Sequence, residues 1–343
     1  MSKDLQPLRI SAGKLFLQSQ VCTKPQKPPA STDLTDQTAI VSGSNIGIGL
    51  QCCDELLKLG LSHLIMAVRS SDKGEKAAAP LRKAYPKARI DIWTLDMLSY
   101  DSIQLFVQRC ETELKRLDVV ILNAALILQE FTIHKPTGHE AMVQTNYLST
   151  ALLSLLLLPV LKEKRQSNTP GRLTIVSSGM ALMAEMKKWY TEDLILPSFD
   201  NGTGWNLMAV TNRYSTTKTL LLMFISKLSD NMSASSVIVN AVDPGLTQGT
   251  GLHRNSHGPV KTIMTFAKMV TARSLQQGAW TYVDAAVVKG AESHGSFVMD
   301  WKICPFHDLM YTPEGKKATE RLWAETLEEL RFAHVSEVLK SVG

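Results

Sequence analysis

No apolar run in this chain of 343 residues is long enough to cross a bilayer, which takes about 20 residues. The longest, Ala151 to Leu161, stops short of that and predicts a soluble protein with no integral membrane span. The first 37 residues lack an uninterrupted apolar leader segment, and Asp4 and a scarcity of arginine argue against a transit peptide. There is no lysine and arginine block either: the net charge of +5 is spread along the chain, so a nucleic-acid partner is not indicated. Cys22, Cys52, Cys53, Cys110 and Cys304 make an odd number with no C-x-x-C and no metal-ligand spacing. That pattern points to a reducing compartment, the cytoplasm, and to no metal centre. The sequons at Asn201 and Asn231 then read as accidental.

What the chain does have is 44% hydrophobic and 20% charged residues, enough to bury the core of one large α/β domain. Thr38-Ala39-Ile40-Val41 is a β-branched apolar run that breaks into a glycine-rich turn, Gly43, Ser44, Asn45, Ile46, Gly47, Ile48 and Gly49. Leu50, Cys53 and Leu57 follow at helical spacing before Gly60. A strand, a glycine turn and a helix N-terminus together form a pyrophosphate cradle, because free backbone N–H groups and the helix dipole face the anion. Further runs read as strands: His63 to Val68, Arg89 to Leu95, Leu117 to Leu122, Leu173 to Ser177, Val237 to Val242 and Ser296 to Met299. Most are apolar throughout, as strands covered by helices on both faces must be. The expectation is a Rossmann-type, doubly wound parallel sheet with its ligand at the carboxyl ends of the strands. Residues 1–37 read as an extension and linker, 38–300 as the dinucleotide-binding and catalytic domain, and 301–343 as a helical extension.

Arg69 closes the second strand, where an acidic residue would bind the ribose 2′-hydroxyl of NAD and an arginine can pair with the 2′-phosphate of NADP. NADP is therefore expected, with Asp72 nearby keeping NAD open. Tyr214 and Lys218 stand four apart in a segment whose Leu221, Leu222, Ile225 and Leu228 follow helical spacing, so phenol and ammonium share one face. A cation held beside a phenol with an ordinary pKa of about 10 favours the phenolate, and Tyr214 could then exchange a proton with a carbonyl or an alcohol. Ser177 and Ser178 close the fifth strand and bring a hydroxyl to the ligand edge.

The spacing Gly43-x-x-x-Gly47-x-Gly49 resembles the glycine motif of the short-chain dehydrogenase/reductase family, with Ser42 where threonine is usual. The match extends over about Thr38 to Asp300 and is similar to the retinol-dehydrogenase-like members, particularly fungal ones with terminal extensions. The resemblance implies Ser178, Tyr214, Lys218 and Asn146 as the catalytic set, with Ser177 the fallback for the serine and Asn146 holding a water that links the lysine to solvent. It also implies adenine binding by Asp96, although a cap or turn role stays open there. Cofactor contacts are implied for Asn123 and Ala124, followed by Ala125 where glycine is usual, and for Pro244, Gly245 and Thr247. It assigns subunit pairing to the Leu148 to Leu161 helix, which would make a homodimer.

Two stretches are expected to shape the pocket. Residues 179–211 form a long insertion carrying Met180, Met183, Met186, Trp189, Trp205 and Met208, suited to an apolar ligand or to packing on the body. Residues 248–267 read as a lid, in which His253 and His257 have i, i+4 spacing but no third ligand. Thr312-Pro313-Glu314 starts a helix whose Leu322, Leu327 and Leu330 form an apolar face. The expected activity is NADP(H)-dependent interconversion of a ketone or aldehyde and an alcohol on a hydrophobic small molecule, in secondary-metabolite biosynthesis. The alternative on the same fold is a non-redox cyclase or isomerase, or a nucleotide-binding scaffold.

Overall fold

The computed structural model describes residues 1–166, 168–186, 192–249 and 271–343. Eight strands form one sheet: β1 (Thr38–Ser42), β2 (His63–Val68), β3 (Arg89–Thr94), β4 (Val119–Leu122), β7 (Gly171–Val176), β8 (Val237–Val242), β9 (Ser296–Met299) and β10 (Lys302–Cys304). The order is β10-β9-β8-β7-β4-β1-β2-β3, parallel except for the β10–β9 pair. The chain runs from β1 out to β3 and then crosses to β4, so the crevice for a ligand opens between β1 and β4. A two-strand ribbon, β5 (Ile133–His134) and β6 (His139–Glu140), stands apart.

Alternation along β1 sorts the two layers. Ala39 and Val41 pack with α2 (Gly47–Lys58), α3 (Ser71–Ala84) and α7 (Leu275–Val283) through Cys52, Leu56, Ala78 and Tyr282. Ile40 faces the other layer, built from α4 (Tyr100–Glu113), α5 (Ser149–Lys164), α6 (Leu207–Asp230) and the C-terminal α8 (Pro313–Glu329) and α9 (Val335–Val342). Thr312 caps α8 with Pro313 in its first turn, as its sequence signals.

Both terminal extensions belong to this body. A short α1 (Ala12–Leu17) and a π turn (Gln18–Cys22) precede the unstructured proline-lysine stretch, and Leu15 is buried in the larger core. The Ser2 hydroxyl donates to Cys304 O at 2.5 Å and accepts from Phe297 N at 2.8 Å. Asp300 and Trp301 form the β9–β10 turn with φ of 53° and 61°, a two-residue hairpin turn built without glycine.

Three sequence expectations are corrected. The helix expected to start after Asn146 starts at Ala141 and passes through a π turn, Gln144–Leu148, that contains Asn146. The continuous helix from Ala141 to Lys164 is, by length and composition alone, long and apolar enough to span a bilayer, but nearly all of it is buried inside the chain. The same helix is not a free pairing surface, because α9 lies against α5 through Val335, Leu339 and Val342, and α4 packs on it as well. Leu153, Leu157 and Leu161 are completely buried within one chain, so the helix does not carry the homodimer expectation.

Candidate active site

The glycine turn is shaped by close approach. Gly43 has φ of +64°, and a Cβ there would stand 2.9 Å from the Ala124 backbone. A Cβ on Gly49 would stand 2.7 Å from Gly43 O, so the helix can meet the turn only without a side chain. No side chain caps the start of α2, which leaves the N–H groups of Gly47, Ile48 and Gly49 for an anion. Ser44, Asn45 and Ile46 make the turn between Gly43 and Gly47, and the cradle's chemistry fits the pyrophosphate of a nicotinamide dinucleotide.

Asn123 serves this cradle through its side chain. Its Nδ2 donates to Ser42 O at 3.0 Å and Gly43 O at 3.1 Å, while its Oδ1 accepts from the Tyr282 hydroxyl at 2.9 Å. The Ser42 Oγ accepts from the N–H groups of Asn123 and Ala124, both at 3.0 Å. The hydroxyl kept at position 42 thus ties β1 to the end of β4. Asp96 takes the turn role left open in the sequence: Oδ1 accepts from Leu98 N at 3.0 Å, and Ser99 caps α4.

Arg69 is exposed at the end of β2, and α3 begins beside it with Ser70 as cap. Lys73 and Lys76 from that helix line a cavity of about 420 Å³ together with Asn45 and Ile46 of the glycine turn. These two lysines escaped the sequence reading, although Lys73 follows Arg69 by only four residues.

At the carboxyl ends of β7 and β8 the catalytic candidates meet. Tyr214 and Lys218 are 7% and 2% exposed on α6, and Lys218 Nζ lies 5.8 Å from the Tyr214 ring centre. The two serines part company here. Ser177 Oγ donates to Lys218 O at 3.1 Å, whereas the Ser178 hydroxyl accepts from Met180 N at 3.2 Å and is the one that acts on the Tyr214 phenol. Ser178 is therefore the serine beside the phenol.

Asn146 is fully buried in its π turn. Its amide brackets Leu126, accepting from N at 2.9 Å and donating to O at 3.0 Å, and it also donates to Thr217 Oγ1 at 3.3 Å. Thr217 Oγ1 in turn donates to Tyr214 O at 2.7 Å. Asn146 thereby links the loop after β4 to the helix turn carrying the tyrosine.

Burial governs the electrostatics of this pair. Burial raises the Tyr214 pKa, Asp243 raises it further, and the hydrogen bond from Ser178 opposes them in part. Lys218 is itself lowered to about 7 by burial, and its Nζ donates to Val176 O at 2.8 Å. In the chain alone burial dominates both groups, pushing the phenol up and the ammonium down.

Asp243 stands immediately before the Pro244-Gly245 turn. It is 4% exposed, accepts from Gly179 N at 2.8 Å, and so fastens the turn after Ser178 to the Pro244-Gly245 turn. Arg273, also 4% exposed, donates to Pro244 O at 3.0 Å and to Asp300, over the Trp301 ring. Thr247 is buried against Gly278, and its Oγ1 donates to Gly245 O at 3.1 Å. A carboxylate closing the apolar run Val237 to Val242 was the available signal for Asp243; nothing local marks Arg273.

The insertion divides. Met186 is buried in the core and Trp205 Nε1 donates to Gln129 O at 2.8 Å, whereas Met180 and Met208 are exposed. Trp189, the lid from residue 250 onward, and His253 and His257 lie outside the described residues. Among the described residues no cluster of His, Cys, Asp or Glu could hold a metal ion.

Known proteins agree with this architecture. The short chain dehydrogenase family profile matches residues 37–189. The short chain dehydrogenase/reductase mfmJ of Annulohypoxylon moriforme is 48% identical over 99% of this chain and 98% of its own. The short chain dehydrogenase virL of Hypocrea virens is 43% identical over 93% and 92%. Among solved structures, the Pseudomonas aeruginosa RhlG/NADP complex has a TM-score of 0.58 at 18% identity, covering 82% of this chain and 98% of its own. An NADPH-bound carbonyl reductase from chicken fatty liver gives 0.58 at 18% identity, covering 81% and 96%, and like RhlG supports the fold. Matched along nearly its whole length at close to half identity, and carrying the glycine cradle and the Ser178, Tyr214 and Lys218 cluster in one crevice, the chain is an oxidoreductase of the nicotinamide-dependent short-chain dehydrogenase/reductase family.

Proposed function

We propose that the protein interconverts a ketone or aldehyde and an alcohol on a hydrophobic small molecule, using NADP(H), within secondary-metabolite biosynthesis. The observation that carries this reading is the grouping of buried Tyr214 and Lys218 on one face of α6 with the Ser178 hydroxyl acting on the phenol, at the carboxyl edge of the sheet. When bound, the cofactor supplies hydride from nicotinamide C4 to the carbonyl carbon. Ser178 holds the substrate oxygen by a hydrogen bond, and Tyr214 gives that oxygen the proton which completes the alcohol. Lys218 binds the ribose and, once a partner offsets its desolvation, carries the positive charge that favours proton loss from Tyr214. Asn146 supports that segment of α6 through Thr217.

Arg69 at the end of β2, with Lys73 and Lys76 lining the cavity beside Asn45 and Ile46, favours NADP over NAD. All five cysteines are free, which supports a reducing, cytoplasmic setting. The test is loss of NADPH absorbance with a panel of apolar ketones. Tyr214→Phe is expected to lower kcat by about 10³-fold or more while NADPH still binds. Undiminished turnover by that variant refutes the assignment, and tight NADPH binding without oxidation across the panel supports the non-redox alternative.

A further inference from the structure

The segment before β1 is built into the edge of the site. Ser19 Oγ donates to Asp300 Oδ1 at 2.8 Å, and Arg273 donates to Ser19 O at 3.3 Å as well as to Pro244 O. The Gln20 amide, with its oxygen and nitrogen exchanged, bonds both Leu246 N and Leu246 O at 3.2 Å. One buried guanidinium is thus shared by the N-terminal π turn, the Pro-Gly turn and the β9–β10 hairpin.

Below this junction lies a cavity of about 320 Å³, within the usual range of small-molecule sites. Leu8, Ile10 and Leu15 of the N-terminal segment form one wall and Met299, Ile303 and Pro305 the other, with Gln18, Thr23 and Lys302 adding polar groups to the lining. Two residues tie it to the catalytic crevice. Met299 Sδ lies 3.7 Å from where a Cβ on Gly179 would stand, one residue past Ser178. Asp300 lines the cavity while binding the same Arg273 that holds Pro244 O.

We propose that this cavity receives the non-reacting hydrocarbon arm of the substrate, so that the N-terminal segment, and not only the insertion after Ser178, sets substrate specificity. The inference rests on the oxidoreductase reading and names its substrate class: a ketone or secondary alcohol carrying an aliphatic or ring-bearing arm. At the volume of liquid water per molecule, the space holds on the order of ten non-hydrogen atoms of that arm.

The test uses the full-length protein and the methyl ketones from butan-2-one to dodecan-2-one. Burial of each methylene is expected to raise kcat/KM about fourfold until the cavity is full, the factor that corresponds to ~0.8 kcal/mol per CH₂. Ile10 and Leu8 are half-buried, so Ile10→Trp and Leu8→Trp narrow the cavity without opening the core. Both are expected to flatten the chain-length dependence and leave butan-2-one turnover and NADPH affinity unchanged, whereas Ile10→Ala extends the dependence to longer chains. Calorimetric binding of the same ketones to the protein with NADP⁺ reads that dependence without turnover. An identical dependence in wild type and both Trp variants overturns the subsite. A dependence that the variants flatten in binding, with no ketone reduced, supports the subsite and faults the oxidoreductase reading alone.

Discussion

Replacing Glu140 by Gln tests how firmly the catalytic helix is anchored. Glu140 is completely buried, and its carboxylate accepts from Met142 N at 3.0 Å, Val143 N at 3.1 Å and Arg213 Nη1 at 3.0 Å. Arg213, 3% exposed and adjacent in sequence to Tyr214, also donates to Phe199 O at 2.8 Å. Burial raises the Glu140 pKa and lowers that of Arg213, so each charge is held at a desolvation cost that its partner offsets. Glutamine keeps the volume and one acceptor oxygen but removes the negative charge that the buried guanidinium contacts directly, leaving Asp200 as a further nearby carboxylate. Breaking such a pair costs about 3–5 kcal/mol, and the retained acceptor places this variant near 3. At roughly 2 °C per kcal/mol for a large domain, Tm should fall by about 6 °C. Thermal unfolding followed by circular dichroism measures this. Glu140→Gln/Arg213→Met should recover part of the loss, giving a coupling of ~1 kcal/mol or more between the two sites. A fall below about 1 °C, or strictly additive effects, refutes the reasoning, because the pair would then contribute little that either residue alone does not.

Other expectations follow from the same geometry. His139 lies between Asp200 at 3.0 Å and Glu329 at 3.3 Å; burial opposes its charge, but the two carboxylates outweigh that and raise its pKa to about 9. Its folded pKa is therefore raised, so the stabilisation is complete below its ordinary value of about 6.5 and is lost as pH climbs from there through about 9. Denaturant midpoints from pH 6 to 10 should show that loss, and His139→Gln should remove it; a midpoint equally pH-dependent in the variant would contradict the account. Lys73→Ala should raise the KM for NADPH by about tenfold and leave that for NADH within twofold, as expected when one charge-assisted contact to a phosphate is lost. Equal effects on both cofactors would remove Lys73 from 2′-phosphate recognition.

The parts of the site legible in sequence are those whose signal is local. A period-two or continuous apolar run marks β1 to β4 and β7 to β9, the Gly43, Gly47 and Gly49 offsets mark the cradle, and the four-residue interval between Tyr214 and Lys218 puts both on one helical face. The choice between Ser177 and Ser178 was not local, since α6 meets both, and only its position puts Ser178 at the Tyr214 phenol and Ser177 at the Lys218 carbonyl. Strand β10 was missed because Asp300 and Trp301 turn the hairpin with positive φ and none of the usual Asn-Gly chemistry, held there by Arg273.

By itself, then, the sequence determined the alternation of strands and helices, the dinucleotide cradle and the order of the catalytic residues, since periodicity and backbone conformational preference act over a few residues. Only the tertiary structure decided that Glu140 meets Arg213, that Ser19 reaches Asp300 and Arg273, and that α9 covers the helix otherwise free to pair subunits. These partners stand tens to hundreds of residues apart, and no local pattern encodes the long-range closure that brings a buried charge or an apolar face to its complement.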